Sequence, residues 1–152
     1  MKKWTRRLWV LLAAFAILLA GWRLGGENPQ GRVTARFEAD RSALEELALL
    51  SLKRGNTENI ALPKGWQGIS LYGGNTDLKV VEFAFGGSGL GSSTAYWGVN
   101  YVPVDRPLGF QGDAWDHWKV RGEGRLYYEP EGDNTCYVQR LAPCWYYYEA
   151  RF

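Results

Sequence analysis

From residue 60 onward the chain repeats one pattern: short runs of alternating side chains separated by glycine, proline and polar clusters. "GISLY" (68–72) sets Ile69 and Leu71 together, and "KVVEFAF" (79–85) sets Val81, Phe83 and Phe85 against Val80, Glu82 and Ala84. "TAYWGVNYVP" (94–103) puts Tyr96, Gly98, Asn100 and Val102 on one face and Trp97, Val99 and Tyr101 on the other. "WKV" (118–120), "RLYYE" (125–129), "CYVQR" (136–140) and "CWYYYEARF" (144–152) follow, with turn-like "PEGDNT" and "LAP" between the last three. A period of two is the signature of strands, and connections this short join antiparallel neighbours. The "GGSGLGSS" stretch (86–93) reads as a flexible hairpin loop, because it lacks the Gly-Lys-Ser/Thr ending of a phosphate loop and the spacing of a dinucleotide fingerprint.

Before residue 60 the period is helical. In "TARFEADRSALEELALLSLKRGN", Phe37, Leu44, Leu47 and Ala48 share one face, widened by Leu50 and Leu52. Thr34 or Ser42 can cap the start, Ser42 and Glu45 have capping-box spacing, and Lys53, Arg54 and Gly55 read as the end. The expected fold class is therefore α+β, with one helix packed on an antiparallel sheet of about five to seven strands.

The first 24 residues obey other rules. Lys2, Lys3, Arg6 and Arg7 precede an uncharged run from Leu8 to Trp22. As a helix that run measures about 22 Å, short against a hydrocarbon core of roughly 30 Å, but Trp4 to Trp22 measures about 27 Å. Tryptophans favour the membrane interface, and the basic start places the N-terminus in the cytoplasm. Residues 1–24 are thus expected to be a membrane helix, serving as a signal anchor or a cleaved signal peptide, with 25–33 as a Gly- and Pro-containing linker and 34–152 as an exported α+β domain. Beyond residue 24 the chain keeps 13 of its 18 Lys and Arg against all 16 acids, a balance of −3. A weakly acidic domain without a basic cluster argues against nucleic acid as a partner.

Signals for catalysis are weak. His117 is the one histidine; with Asp113 and Asp116 it makes a poor metal set, because neighbours on a strand point to opposite faces. Ser88, Ser92 and Ser93 lack a partner base and a Gly-x-Ser-x-Gly elbow. Glu129, Glu131 and Asp133 share a turn with Pro130 and Gly132, where carboxylates are ordinarily solvated. No cofactor motif is present. Aromatic content is 15%, which fits an aromatic core or an exposed platform for sugars or peptides. Alternation splits the C-terminal run, so that Trp145 and Tyr147 share a face with Glu149 and Arg151 and are expected on the wetter side. Tyr146, Tyr148, Ala150 and Phe152 are then expected under the helix. If the closing hairpin turns at Arg140, Cys136 faces Cys144 and an exported chain can oxidise the pair to a disulfide.

"AYWGVNYVPVDRP" resembles a Tyr-x-Gly-x-x-Tyr-x-Pro-x-Asp-x-Pro signature, carried by Tyr96, Gly98, Tyr101, Pro103, Asp105 and Pro107. "GDNTCYVQRLAPCWYYYEARF" resembles a second signature through Asp133, Tyr137, Trp145, Tyr146, Tyr147, Tyr148, Glu149 and Phe152. Together they are similar to a family of small membrane-anchored or exported proteins of Gram-positive bacteria. The resemblance runs from the helix to the last residue, brings no catalytic residues with it, and does not include the cysteine pair. The expectation is a non-enzymatic domain outside the cytoplasmic membrane that binds another macromolecule at the cell envelope, such as an envelope protein, or acts as an accessory or immunity-like protein there. The alternatives are a cell-wall glycan binder using exposed Trp and Tyr, and an enzyme of unrecognised type. Trp97, Tyr101, Asp105, Trp115, Trp145 and Tyr147 are the candidate binding residues.

Overall fold

The computed structural model describes residues 28–73, 78–90, 93–112 and 117–152. Residues 33–152 form one compact unit, and the first turn of the helix belongs to a separate N-terminal one. The expected membrane helix (1–24) lies outside the described residues, among which no helix is long and apolar enough to cross a membrane.

Helix α1 spans Pro29–Arg54. It starts five residues before the expected Thr34, within the stretch read as linker. The reason is local: Asn28 caps the end by accepting the Gln30 amide at 3.1 Å, and proline suits the first helical position because its missing N–H has no intrahelical partner there. The far end falls as expected, with Gly55 at φ 72° closing the last turn through its amide to the Ser51 carbonyl at 2.8 Å.

Seven strands follow: β1 (Gly68–Tyr72), β2 (Val80–Leu90), β3 (Ser93–Tyr101), β4 (Trp118–Arg121), β5 (Gly124–Tyr128), β6 (Thr135–Ala142) and β7 (Trp145–Arg151). They form one antiparallel sheet in the order β1-β2-β3-β7-β6-β5-β4, so β7 is central and joins two three-stranded halves. Most of the glycine stretch is strand rather than loop, because β2 continues through Gly86–Leu90 and pairs with Ser93–Trp97. Gly86 is tolerated, and required, because the Trp97 ring lies across it: a Cβ there would stand 2.9 Å from the indole nitrogen.

Both faces of the sheet are covered. On one, Val33, Phe37, Leu44 and Ala48 of α1 pack on Val81, Phe83, Val99, Trp145 and Tyr147, all fully or almost fully buried. On the other, Leu108 and Phe110 of the segment after β3 cover Val80, Val138, Tyr146, Tyr148 and Ala150. Burial of aromatic and aliphatic side chains on two faces supplies the core of a small domain. The α+β expectation of one helix on an antiparallel sheet is met. Which face the helix takes is not as expected: Trp145 and Tyr147 lie beneath α1, with the Phe37 and Trp145 rings 5.1 Å apart, whereas Tyr146, Tyr148 and Ala150 face the covering segment.

Candidate functional site

Three features of the sheet bear on function. The first is a clamp at the end of β3. The β6–β7 turn is Pro143–Cys144, with Cys144 at φ 63°; proline presets the first turn position and the second takes the left-handed conformation. Val102 donates its amide to the Cys144 carbonyl at 2.8 Å, and Asp105 (φ 46°) then swings its carboxylate back over the turn. Asp105 accepts from the Cys144 amide at 2.7 Å, the Tyr146 hydroxyl at 3.0 Å and the Arg140 guanidinium at 2.5 Å. The Cys144 amide, then Arg140, then Tyr146 hold the Asp105 carboxyl below its usual range. Desolvation, and then the bond to Asp105, push Tyr146 up to about 12. A carboxylate stabilised in its charged form and engaged by three donors is a poor general base near neutrality. It serves as a staple between two loops. Beside it lies a pocket of about 290 Å³, walled by Asp105, Pro107, Arg125, Arg140 and Tyr146 and floored by Gly124 and Val138.

The second feature is the sheet edge at β4, whose four residues are all exposed. Trp118 is 41% and Val120 74% exposed. Register places Trp118 and Val120 on the covering-segment side with Tyr127 and Arg125, and Lys119 on the helix side with Leu126. The Arg125 guanidinium stacks 4.1 Å over the Trp118 ring and fixes it. Tyr128 donates its amide to the His117 carbonyl, so that pair is hydrogen-bonded. Antiparallel ladders alternate, and the backbone groups of Trp118 and Val120 therefore aim away from β5.

The third lies in the interior. Glu82 on β2 is directly opposite Asn100 on β3, on the covered face. Both are buried, at 8% and 2% exposure, and Glu82 Oε2 and Asn100 Oδ1 have no hydrogen-bond partner among the described residues. Desolvation raises the Glu82 carboxyl to about 7, against the opposing pull of a hydrogen bond from Tyr148.

The expected binding residues that are described form no shared exposed surface. Trp97 and Tyr101 are half-buried on the helix side, Tyr101 with its ring 5.0 Å from Trp145. Trp145 and Tyr147 are buried at 1% and 0% and offer no surface. Glu149 marks no wet face: it accepts from the Tyr147 hydroxyl and from Arg151, so the charges at the end of β7 are mutually satisfied. Asp105 is the staple, and Trp115, Asp113 and Asp116 lie outside the described residues. Among the described residues the exposed aromatics do not make a shared platform: Trp118 and Tyr128 point to opposite faces, and Tyr96 stands on β3 in the other half of the sheet. The disulfide expectation is corrected. Cys136 pairs in register with Ala150, while Cys144 sits in the turn, about 20 Å along the strand, and both thiols are free. The turn forms at Pro143 rather than Arg140, and β6 runs on through Ala142 with an irregularity after Arg140. Burial pushes the Cys136 thiol far up, and desolvation followed by the Asp105 charge raises Cys144, so neither is an activated nucleophile.

Trp118, Val120 and Arg125 went unnoticed as a surface, because a four-residue run does not say which strand is the edge. Among the described residues no group of three or more His, Cys, Asp or Glu is placed to hold a metal. Comparison with known protein families, curated proteins and solved structures found no match.

Proposed function

We propose that the chain is a binding domain without catalytic activity, tethered by residues 1–24 to the outer side of the cytoplasmic membrane, and that it meets an envelope protein along the β4 edge. The observation that carries this reading is the strand itself, which has no outer neighbour among the described residues and whose two outward-facing backbone positions belong to an exposed tryptophan and an exposed valine. Strand addition to such an edge is a common way for a small sheet domain to hold an extended segment. The basic N-terminus and the following apolar run support the topology. A photo-crosslinking residue at position 120 in cells should give a discrete protein adduct, and one at Leu49, exposed on α1, should not. No adduct at 120, or the same adducts from both positions, would refute the surface. Protease added to intact spheroplasts should remove the domain while sparing cytoplasmic markers.

A further inference from the structure

The chemistry of the β4 edge defines what fits it. We propose that its occupant is an extended segment alternating acidic and apolar residues, added antiparallel to β4 as one more strand. This rests on the edge being the contact surface.

Parity carries the argument. Lys119 and Arg121 make their ladder bonds inward, opposite Leu126 and Gly124, and Trp118 and Val120 present theirs outward. An added antiparallel strand must bond to Trp118 and Val120. Lys119 and Arg121 then fall at the non-hydrogen-bonded positions, where side chains of neighbouring strands come closest. Both project to the helix side of the sheet, so the two partner residues opposite them share that face. Carboxylates there meet two cations at the shortest cross-strand distance. Partner residues opposite Trp118 and Val120 lie on the other face, against exposed indole and isopropyl surface, and apolar side chains suit them.

The same parity excludes a second copy of β4 as occupant. Outward-facing residues can bond only to outward-facing residues, so an antiparallel β4–β4 register centred on Lys119 or on Val120 sets Lys119 or Arg121 opposite Lys119 or Arg121 of the other copy, and one centred on Trp118 pairs a single residue of β4. Like charges directly opposite destabilise a strand pair. Bare lysines on an edge do deter pairing, but the 74% exposed Val120 between them is the side chain a deterrent edge would omit.

The test uses the full chain in mild detergent and fluorescein-labelled peptides read by anisotropy. One peptide alternates Glu and Val, one has the same composition with its acids in a block, and one alternates Lys and Val. The Glu/Val alternating peptide should bind about tenfold tighter than either other, and about 0.5 M salt should weaken it. Val120→Pro removes an N–H that faces away from β5, so the fold should keep its circular dichroism while peptide affinity drops about tenfold. Lys119→Glu with Arg121→Glu should reverse the preference to the Lys/Val peptide. Equal binding of block and alternating peptides, unchanged affinity in folded Val120→Pro, or no reversal would overturn the proposal. A cross-link at position 120 without peptide binding would overturn the acidic-apolar assignment and leave the surface standing.

Discussion

Glu82 is the residue whose environment departs furthest from what its neighbours in sequence imply. Alternation correctly sets it with Val80 and Ala84, opposite the helix-facing Val81, Phe83 and Phe85. It lies on the face that Leu108 and Phe110, more than twenty residues on, help to cover, and no local pattern announces that cover. In the protonated form Oε2 becomes a possible donor, and the residue opposite it in register, Asn100, holds a buried acceptor without a partner among the described residues. The consequence for stability has a definite sign. A carboxyl raised from 4.5 to about 7 in the folded state contributes fully below about pH 4.5, and the contribution is lost as pH rises through about 7. Urea unfolding should show stability falling between about pH 5 and pH 8 by up to about 3 kcal/mol, and Glu82→Gln should flatten that slope. A Glu82→Gln protein with the wild-type slope would show that other groups set it. Gly98 gives a second test at this scale. A Cβ there would lie 2.0 Å from the Phe83 carbonyl and 3.0 Å from the Tyr148 ring, so Gly98→Ala should lower stability by about 2 kcal/mol or more, read as a lower urea midpoint.

Among the elements, the closing hairpin separates what was legible from what was not. Its two strands and the splitting of Trp145–Tyr148 between two faces follow from alternation alone. Which face meets the helix does not, because both faces are apolar when both are covered, and the charged end of β7 misleads. The turn position hung on Pro143, which sets a two-residue turn and carries Cys144 out of reach of Cys136. Alkylation of the unreduced, denatured protein should therefore tag two thiols; in the folded state the half-buried Cys144 should react before the buried Cys136. A mass without adducts would overturn this register. The clamp makes its own prediction. Asp105→Ala leaves the Cys144 amide without its carboxylate acceptor, so hydrogen exchange at Cys144 and Val102 should accelerate while the centre of the sheet keeps its protection. Since the Asp105 carboxyl is held below its usual value, the clamp is charged above that range and weakens only as pH falls through it.

The molecule as a whole has one organising fact, the strand order. The sequence announces strands and a helix but not order, because edge and centre differ in what lies beside them rather than in their own residues. Trp118 and Tyr147 look alike as members of aromatic runs; one stands at the border of the sheet and the other at its middle. In the hydrogen-bonded sheet the halves β1-β2-β3 and β6-β5-β4 are joined by β7, and the two core clusters that span them are built on β7 side chains. A chain ended after Ala142 should therefore lose cooperative unfolding altogether, with no sharp transition in urea, rather than become a weaker version of the same domain. Synthesis meets the same constraint. The ribosome completes β7 after the six strands it unites, so until then each half waits with an unpaired border and uncovered aromatic surface. Neither half can complete its sheet before β7 is made, so cooperative folding of the seven strands begins with that strand.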